Sequence, residues 1–476
     1  MMVVPRSPAR ESADRTAASG LRLAFYGDDF TGSTDALEVL ASAGWRCALF
    51  LQEPDARTLS RHPGLDAVGI AGDSRAMTPD EMQAQLPATL DWLASAGAPV
   101  LHYKVCSTFD SAPTIGSIGR VMKLARARLG GACLPIVAAT PHLGRFCLYG
   151  HLFARAGTDG RVYRIDRHPI MRVHPVTPMD EADLTVHLGH QCDFPIAKAS
   201  LEEVREGTAS LLARLDAAKA EGAGAVLVDG LDATDMQRAG DLLLAIGRPA
   251  QPTFVVGGSG VEHALTSAWA GVPGAGRTPP DFTRQAVPQV LAISGSASAL
   301  SASQIDRAIE ASFAGIALDP VRLLDETQYA SALDQAVHEA IEALARGASV
   351  ILHTARGPQD PRIAAVRQSL QARGLDAEAQ RLLTGRVLGE RLGQLVRRIL
   401  QAHPLQRLLL SGGDTSSAIA RVLDVRAVEM AAALTPGAPL CRVLESDVVP
   451  GMEIAFKGGQ MGRAEFFREA RDGSTR

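Results

Sequence analysis

Apolar residues in this chain fall into short runs, each ending in a polar or glycine-rich cluster and followed by a stretch with helical spacing. Leu21–Tyr26, Cys47–Leu51, Ala67–Ala71, Val100–Lys104 and Leu134–Ala138 read as strands, with helical segments such as 79–96 between them. Val226–Asp229 leads toward a helix from 233, and Thr253–Val256 toward a helix from 261. This rhythm predicts βαβ units. It breaks over 271–288, where Gly271, Pro273, Gly274, Gly276, Pro279, Pro280 and Pro288 cluster, and such a break marks a domain boundary. The pattern then restarts with Val290–Ile293 and a helix near Ser301–Ala311, then Val350–His353, Leu408–Leu410 with a helix over 418–423, and Ile454–Phe456. The expected fold is α/β with two domains, each a largely parallel sheet flanked by helices. Residues 1–20 read as a disordered tail, 21–270 as the N-terminal domain, 271–288 as a linker and 289–476 as the C-terminal domain.

Length agrees, because 476 residues exceed what one compact core organises. Net charge is −4 and basic residues are scattered, which argues against nucleic acid or an anionic membrane as partner. No apolar stretch approaches the ~18 residues of a membrane span, and the first twenty residues lack the apolar run of a signal peptide, so a cytoplasmic protein is expected. Cys47, Cys106, Cys133, Cys147, Cys192 and Cys441 include no C-x-x-C pair, which suggests neither zinc nor a disulfide framework. Lysine occurs only at 104, 123, 198, 219 and 457. Lys104 and Lys457 stand in motif-like places, where a compact ammonium differs chemically from a guanidinium.

The candidate chemistry sits at the strand exits. Gly27-Asp28-Asp29-Phe30-Thr31-Gly32-Ser33-Thr34-Asp35 follows the first strand and precedes helical spacing from Ala36; open α/β sheets place ligands at such ends. The competing reading is an ordinary capped turn, with Ser33 or Thr34 as N-cap. Gly72-Asp73-Ser74-Arg75 and Lys104-Val105-Cys106-Ser107-Thr108-Phe109-Asp110-Ser111 leave the next strands. If the strands are parallel, Arg75 and Lys104 face Asp28 and Asp29. That setting suits a small polyhydroxylated acid, its carboxylate taken by the arginine fork. His174-Pro175-Val176-Thr177-Pro178 looks like a helix start with Thr177 as N-cap. His263 stands where Gly258-Ser259-Gly260 would need a third glycine, so the dinucleotide fingerprint fails. In the second half, Ser294-Gly295-Ser296-Ala297-Ser298, Thr354-Ala355-Arg356-Gly357, Ser411-Gly412-Gly413-Asp414-Thr415 and Lys457-Gly458-Gly459 offer free N–H groups that suit a phosphate cradle. No P-loop motif is present.

Taken as an ordered set over nearly the whole chain, these motifs resemble the four-carbon acid sugar kinases, which act on threonate, erythronate and 3-oxo-tetronate. The resemblance implies an acid-sugar-binding N-terminal domain, an ATP-binding C-terminal domain and transfer across the cleft between them. It implies that Asp28, Arg75, Lys104, Cys106, Ser107 and Thr108 hold the acid. It implies that Ser294, Ser296, Ser298, Ser411, Gly412, Gly413, Asp414, Thr415, Gly458 and Gly459 hold the nucleotide. The Cys106–Ser111 form looks like the 3-oxo-acid branch, where the threonate branch carries Asp-Ser-Thr-Leu-Arg-Gly. Lys457-Gly458-Gly459-Gln460-Met461-Gly462 replaces the family's usual Lys-Ser-Gly-Asn-Phe-Gly, and Ala297 replaces a cysteine. The expected reaction is phosphorylation of the terminal hydroxyl of 3-oxo-tetronate to the 4-phosphate by ATP with Mg²⁺. Asp28 or Asp29 from one domain, and Asp414 from the other, are the candidate catalytic acids. The alternatives are a kinase of branched 3-oxo-isoapionate or of threonate or erythronate and, in another class, a non-catalytic acid-sugar sensor. A homodimer suits a chain of this size.

Overall fold

The computed structural model describes residues 20–130, 133–156, 160–174, 176–272, 277–376, 379–380 and 383–473. The expected tail therefore lies outside the described residues, apart from Gly20, and so do residues 273–276 of the expected linker.

Eight strands build the first half of the main sheet: β1 (Leu23–Gly27), β2 (Cys47–Phe50), β3 (Ala67–Ala71), β4 (Val100–Lys104), β5 (Leu134–Val137), β9 (Ile196–Ala199), β10 (Ala225–Val228) and β11 (Thr253–Gly257). Between them β6 (Arg145–Leu148), β7 (His151–Ala156) and β8 (Arg161–Arg164) form a separate antiparallel sheet. The second half adds β12 (Leu291–Ser294), β13 (Ala314–Ala317), β14 (Val350–His353), β15 (Arg407–Ser411), β16 (Ala427–Thr435), β17 (Ala438–Glu445) and β18 (Glu453–Lys457). β1, β3 and β4 are buried at every position, as parallel strands covered on both faces must be. The 79–96 helix forms over Pro79–Ser95, started by a capping box between Thr78 and Glu81 with proline at its first position.

Each half has its largely parallel sheet, and the two join edge to edge into one sheet of 15 strands, ordered β13-β14-β12-β15-β18-β17-β16-β2-β3-β1-β4-β11-β5-β10-β9. The seam is antiparallel, with Ala427 opposite Phe50 and Val428 opposite Leu49. β16 with β17, and β17 with β18, are antiparallel too. Three reversals leave the parallel strands of the two halves running in opposite senses. In a flat sheet their exits would lie at opposite edges. Twist of roughly 20–25° per strand, over five steps from β1 to β18, turns them by about 100° or more. The helix Phe30–Ser42 that leaves β1 lies across β16, β17 and β18, and so carries the β1 exit to the exit of β18.

Contacts at that meeting point are apolar. Phe30 and Phe456 are both buried and pack edge to face with ring centroids 4.4 Å apart. Burying each ring contributes about 2 kcal/mol, and the pairing geometry about 1 more. One continuous core cluster runs from Leu23 to Phe456 through both halves. The described part of 271–288 is docked at both ends. Arg277 Nη2 reaches Asp66 Oδ1 at 2.9 Å in the first half, and Arg284 donates to the carbonyls of Ala433 and Glu469 in the second. Among the described residues no helix is long and apolar enough to cross a membrane.

Candidate active site

Asp28 leaves β1 between two neighbouring strand exits and is fixed by both. Its amide donates to the Lys104 carbonyl at 2.8 Å, and its carbonyl accepts the Arg75 amide at 3.0 Å. Parallel pairing of β1 with β3 and β4 in matched register thus sets three charged residues at one level, as the sequence led us to expect. Arg75 grips the buried Asp28 carboxylate with two bonds, Nε to Oδ2 at 3.1 Å and Nη2 to Oδ1 at 2.9 Å. Its remaining nitrogen, Nη1, pairs with Asp29 Oδ2 at 2.6 Å. The fork that sequence reasoning left open for a substrate carboxylate is therefore engaged by the chain's own acids.

Asp29 is the N-cap of the helix Phe30–Ser42, its side chain accepting the Gly32 amide at 2.5 Å. The helix starts at Phe30, ahead of Ser33 and Thr34, so neither hydroxyl caps it. Ser33 Oγ instead donates back to the Asp29 carbonyl. This earlier start carries Asp35, a buried acid not singled out from the sequence, to 3.9 Å from Lys104 Nζ. Its signal was present: an acid set among Thr34, Ala36 and Leu37, all buried on the helix.

Burial pushes the Asp28 carboxyl pKa up, against the opposing pull of Arg75. Burial also pushes up Asp35, opposed by Lys104. For Lys104 burial acts downward, but Asp35, Asp29 and Asp28 outweigh it and hold the ammonium above its usual value. The cluster is a charged lysine and arginine among three acids, one ionised acid more than its cations can balance. Such a cluster favours holding a proton on one carboxyl.

The loop after β4 supplies hydroxyls. Cys106 Sγ meets Thr108 Oγ1 at 2.9 Å, and Thr108 Oγ1 donates to Asp110 Oδ1 at 2.5 Å. Burial and then Asp110 raise the Cys106 pKa, which keeps it a thiol and leaves it no nucleophile. Phe109 sits at φ 54, a strained conformation for a bulky residue, held by the Thr108–Asp110 bond on one side and Ser111 Oγ with His187 Nε2 on the other. Ser107 lies half-buried beside Gly258, whose absent side chain would meet it at 3.2 Å. Thr177 caps no helix. The next one begins at Leu184 with Asp183 as cap, and Thr177 Oγ1 bonds to Asp110 and His174.

The second half presents a matching row. His353, Ser294, Ser411 and Lys457 are register partners on four adjacent parallel strands, so their side chains point to one face. Ser294 Oγ and Ser411 Oγ are buried without a hydrogen-bond partner among the described residues. The following loops interlock: Ser298 caps the helix Ala299–Glu310 and donates to the Gly459 carbonyl at 2.6 Å, while Ser296 Oγ accepts the Ser298 amide at 3.2 Å. A side chain on Gly459 would lie 2.2 Å from Ser296 Oγ, and one on Gly295 2.0 Å from Thr415 Oγ1. Gly412 adopts φ 116, which opens the turn into the helix Gly413–Val422. Asp414 is exposed in that first turn, with no hydrogen-bond or ion-pair partner among the described residues.

The two rows meet. A side chain on Gly458 would come 3.8 Å from Thr31 Cγ2, and Arg421 reaches Asp73 at 3.9 Å. Beside the meeting point a cleft of about 490 Å³ opens between the halves, walled by Phe30, Gly72, Ser417, Arg421 and Glu445 among others. It adjoins both rows without including their charged residues.

Residues 23–265 match a family described as the sugar-binding N-terminal domain, and residues 291–467 one described as the nucleotide-binding C-terminal domain. The chain is 39% identical over 470 residues to a 3-oxo-isoapionate kinase of Paraburkholderia graminis, covering 98% of each. It is 32% identical over 462 residues to a 3-oxo-tetronate kinase of Methylobacterium radiotolerans, covering 95% of this chain and 99% of that one. A solved structure from Salmonella typhimurium LT2, 22% identical, has the same fold with a TM-score of 0.75, covering 94% of this chain and 98% of that one.

Proposed function

Since the chain belongs to the four-carbon acid sugar kinase family, we propose that it transfers the γ-phosphoryl group of ATP to a terminal hydroxyl of a 3-oxo sugar acid. The observation that carries this reading is the meeting of the two rows at Thr31 and Gly458, which lets one bound molecule face the other. The substrate hydroxyl oxygen forms the new bond to phosphorus, the bond to the bridging oxygen breaks, and ADP leaves with that electron pair. Such transfer passes a loose transition state, so alignment and charge stabilisation do most of the work.

Asp28 receives the hydroxyl proton, a role that suits a carboxylate whose affinity for protons burial has raised. Asp29 fixes both Arg75 and the start of its helix. Arg75 and Lys104 supply the positive field in which the acid sits, with Cys106, Ser107 and Thr108 lining it. The acid's carboxylate meets the N–H groups of Arg75 that Asp28 and Asp29 leave free. Ser294, Ser296, Ser298, Ser411, Gly412, Gly413, Thr415, Gly458 and Gly459 cradle the phosphates.

Among the described residues no three His, Cys, Asp or Glu side chains are grouped to hold a metal. Mg²⁺ in phosphoryl-transfer sites takes one or two carboxylates plus phosphate oxygens and water, and the unpaired carboxylate of Asp414 beside the glycine loop fits that need. When bound there, Mg²⁺ neutralises charge on the phosphates.

3-Oxo-tetronate is the acceptor to which the Cys106–Ser111 form points. Branched 3-oxo-isoapionate is a second reading, favoured by the 39% identity to the Paraburkholderia graminis enzyme. We also hold the protein to be cytoplasmic and homodimeric, which fractionation and light scattering test. The test of function is ADP release with Mg²⁺ across 3-oxo-tetronate, 3-oxo-isoapionate, threonate and erythronate. A 3-oxo acid is expected to stimulate it most. If none does while acids still bind, the protein is a sensor and the kinase reading fails.

A further inference from the structure

Four of the five lysines have a carboxylate within ion-pair distance: Lys104 with Asp35, Lys123 with Asp193, Lys198 with Asp183 and Lys219 with Asp216. Lys457 has none among the described residues, and it is fully buried. Its Nζ donates to the carbonyl of its own neighbour, Gly458, at 2.9 Å, and lies 5.5 Å from the centre of the Phe466 ring. A buried ammonium without a counter-charge is costly to keep. Lys123, Lys198 and Lys219, which stand outside the proposed site and are partly buried or exposed, each have an acid all the same.

The surroundings supply what an anion needs. Lys457 is the register partner of Ser411, which pairs with Ser294, and both hydroxyls are buried and unpartnered among the described residues. Lys457 also stands on β18, the strand of the second half's parallel set that lies nearest the first half. Gly458 follows at once, against Thr31. A phosphate entering over Gly458 and Gly459 would displace the bond from Nζ to the Gly458 carbonyl by a side-chain rotation.

We propose that Lys457 is the cation that receives the terminal phosphates of the nucleotide, with its missing counter-charge supplied by ATP itself. This rests on the kinase reading above. Burial alone pushes the Lys457 pKa down to about 7. A lysine that is largely neutral in the free protein above neutrality and charged against a phosphate takes up a proton as ATP binds. Lysine serves phosphate well as a point charge.

Calorimetry of ATP and AMP binding to the full chain tests this, with wild type compared to Lys457→Met. ATP affinity is expected to fall at least about 10-fold in the variant, while AMP affinity changes less than about 2-fold. Free Lys457→Met is expected to melt no lower than wild type, because an apolar chain replaces an uncompensated charge. Equal ATP affinity in the two proteins overturns the proposal, and so does a variant that melts lower and loses both ligands equally. A second readout uses wild type alone. At pH 8, where ATP is fully ionised, titration in buffers of different ionisation heat is expected to reveal net proton uptake on ATP binding, and its absence overturns the proposal. Failure of wild type to bind ATP at all would instead strike the kinase reading.

Discussion

Arg75 holds Asp28 through two parallel hydrogen bonds, Nε to Oδ2 at 3.1 Å and Nη2 to Oδ1 at 2.9 Å. The relationship joins the exits of β1 and β3, and it places a cation against an acid that is 4% exposed. It makes the first loop a rigid, charged platform instead of a flexible turn. The platform is completed by Asp29, which binds the same guanidinium and caps the helix that follows.

Removing the guanidinium strands two acids. Arg75→Ala is expected to cost about 3 kcal/mol of stability, read from the urea midpoint, and to abolish acid-stimulated ADP formation. Arg75→Lys keeps charge but not the fork. For that variant the KM for the acid is expected to rise about 10-fold or more, with the KM for ATP unchanged. An equal rise in both would place Arg75 outside the acid site.

Lys104 Nζ lies against Gly32, in the first turn of the helix Phe30–Ser42. A Cβ there would stand 2.5 Å from Lys104 Nζ and 2.5 Å from Asp29 Oδ1. Overpacking costs about 1–3 kcal/mol, and the helical preference of alanine over glycine returns about 1, so Gly32→Ala is expected to stay folded. Displacement of Lys104 is expected to lower kcat about 100-fold. Gly189→Ala is the control, since a Cβ there meets nothing within 4 Å, and it should leave kcat unaltered.

Glu38 crosses between the halves, its Oε2 accepting the Gly437 amide at 2.6 Å. Burial raises its carboxyl pKa to about 7, against an ordinary 4.5. The folded protein therefore keeps this proton up to about pH 7, while the unfolded chain releases it near 4.5. The stability it contributes is full below pH 4.5 and is lost as pH rises toward 7. Glu38→Gln, which cannot ionise, is expected to lack that loss, so wild type should fall behind it by about 1–3 kcal/mol between pH 4.5 and 8. Parallel urea midpoints of the two proteins at pH 5 and 8 would refute the assignment.

The legible part of the fold was the part whose signals are local. β1, β3 and β4 could be read because a strand buried on both faces is an unbroken apolar run, and once they are parallel, Asp28, Arg75 and Lys104 must converge. The hairpin of β16 and β17 could not. Its strands carry Glu429 and Arg442 opposite each other, the apolar run at 430–434 is alanine-rich and suits a helix better than a strand, and its other partner, β2, lies in the other half of the chain. The helix start was misplaced for a related reason. Asp29, Ser33 and Thr34 are all good caps, and the choice of Asp29 is fixed by Arg75, far along the chain. The same grip closed the arginine fork that the sequence left open. The isolation of Lys457 is likewise a fact of three dimensions, since only the fold decides which acids stay away.

If the acid-holding row and the phosphate-cradling row face each other, a phosphoryl group passes from one bound molecule to the other. Phosphorus NMR of the full chain incubated with ATP, Mg²⁺ and a 3-oxo sugar acid tests this most directly. A phosphomonoester resonance is expected to grow in step with ADP and to couple to terminal methylene protons. ADP accompanied only by inorganic phosphate would contradict it.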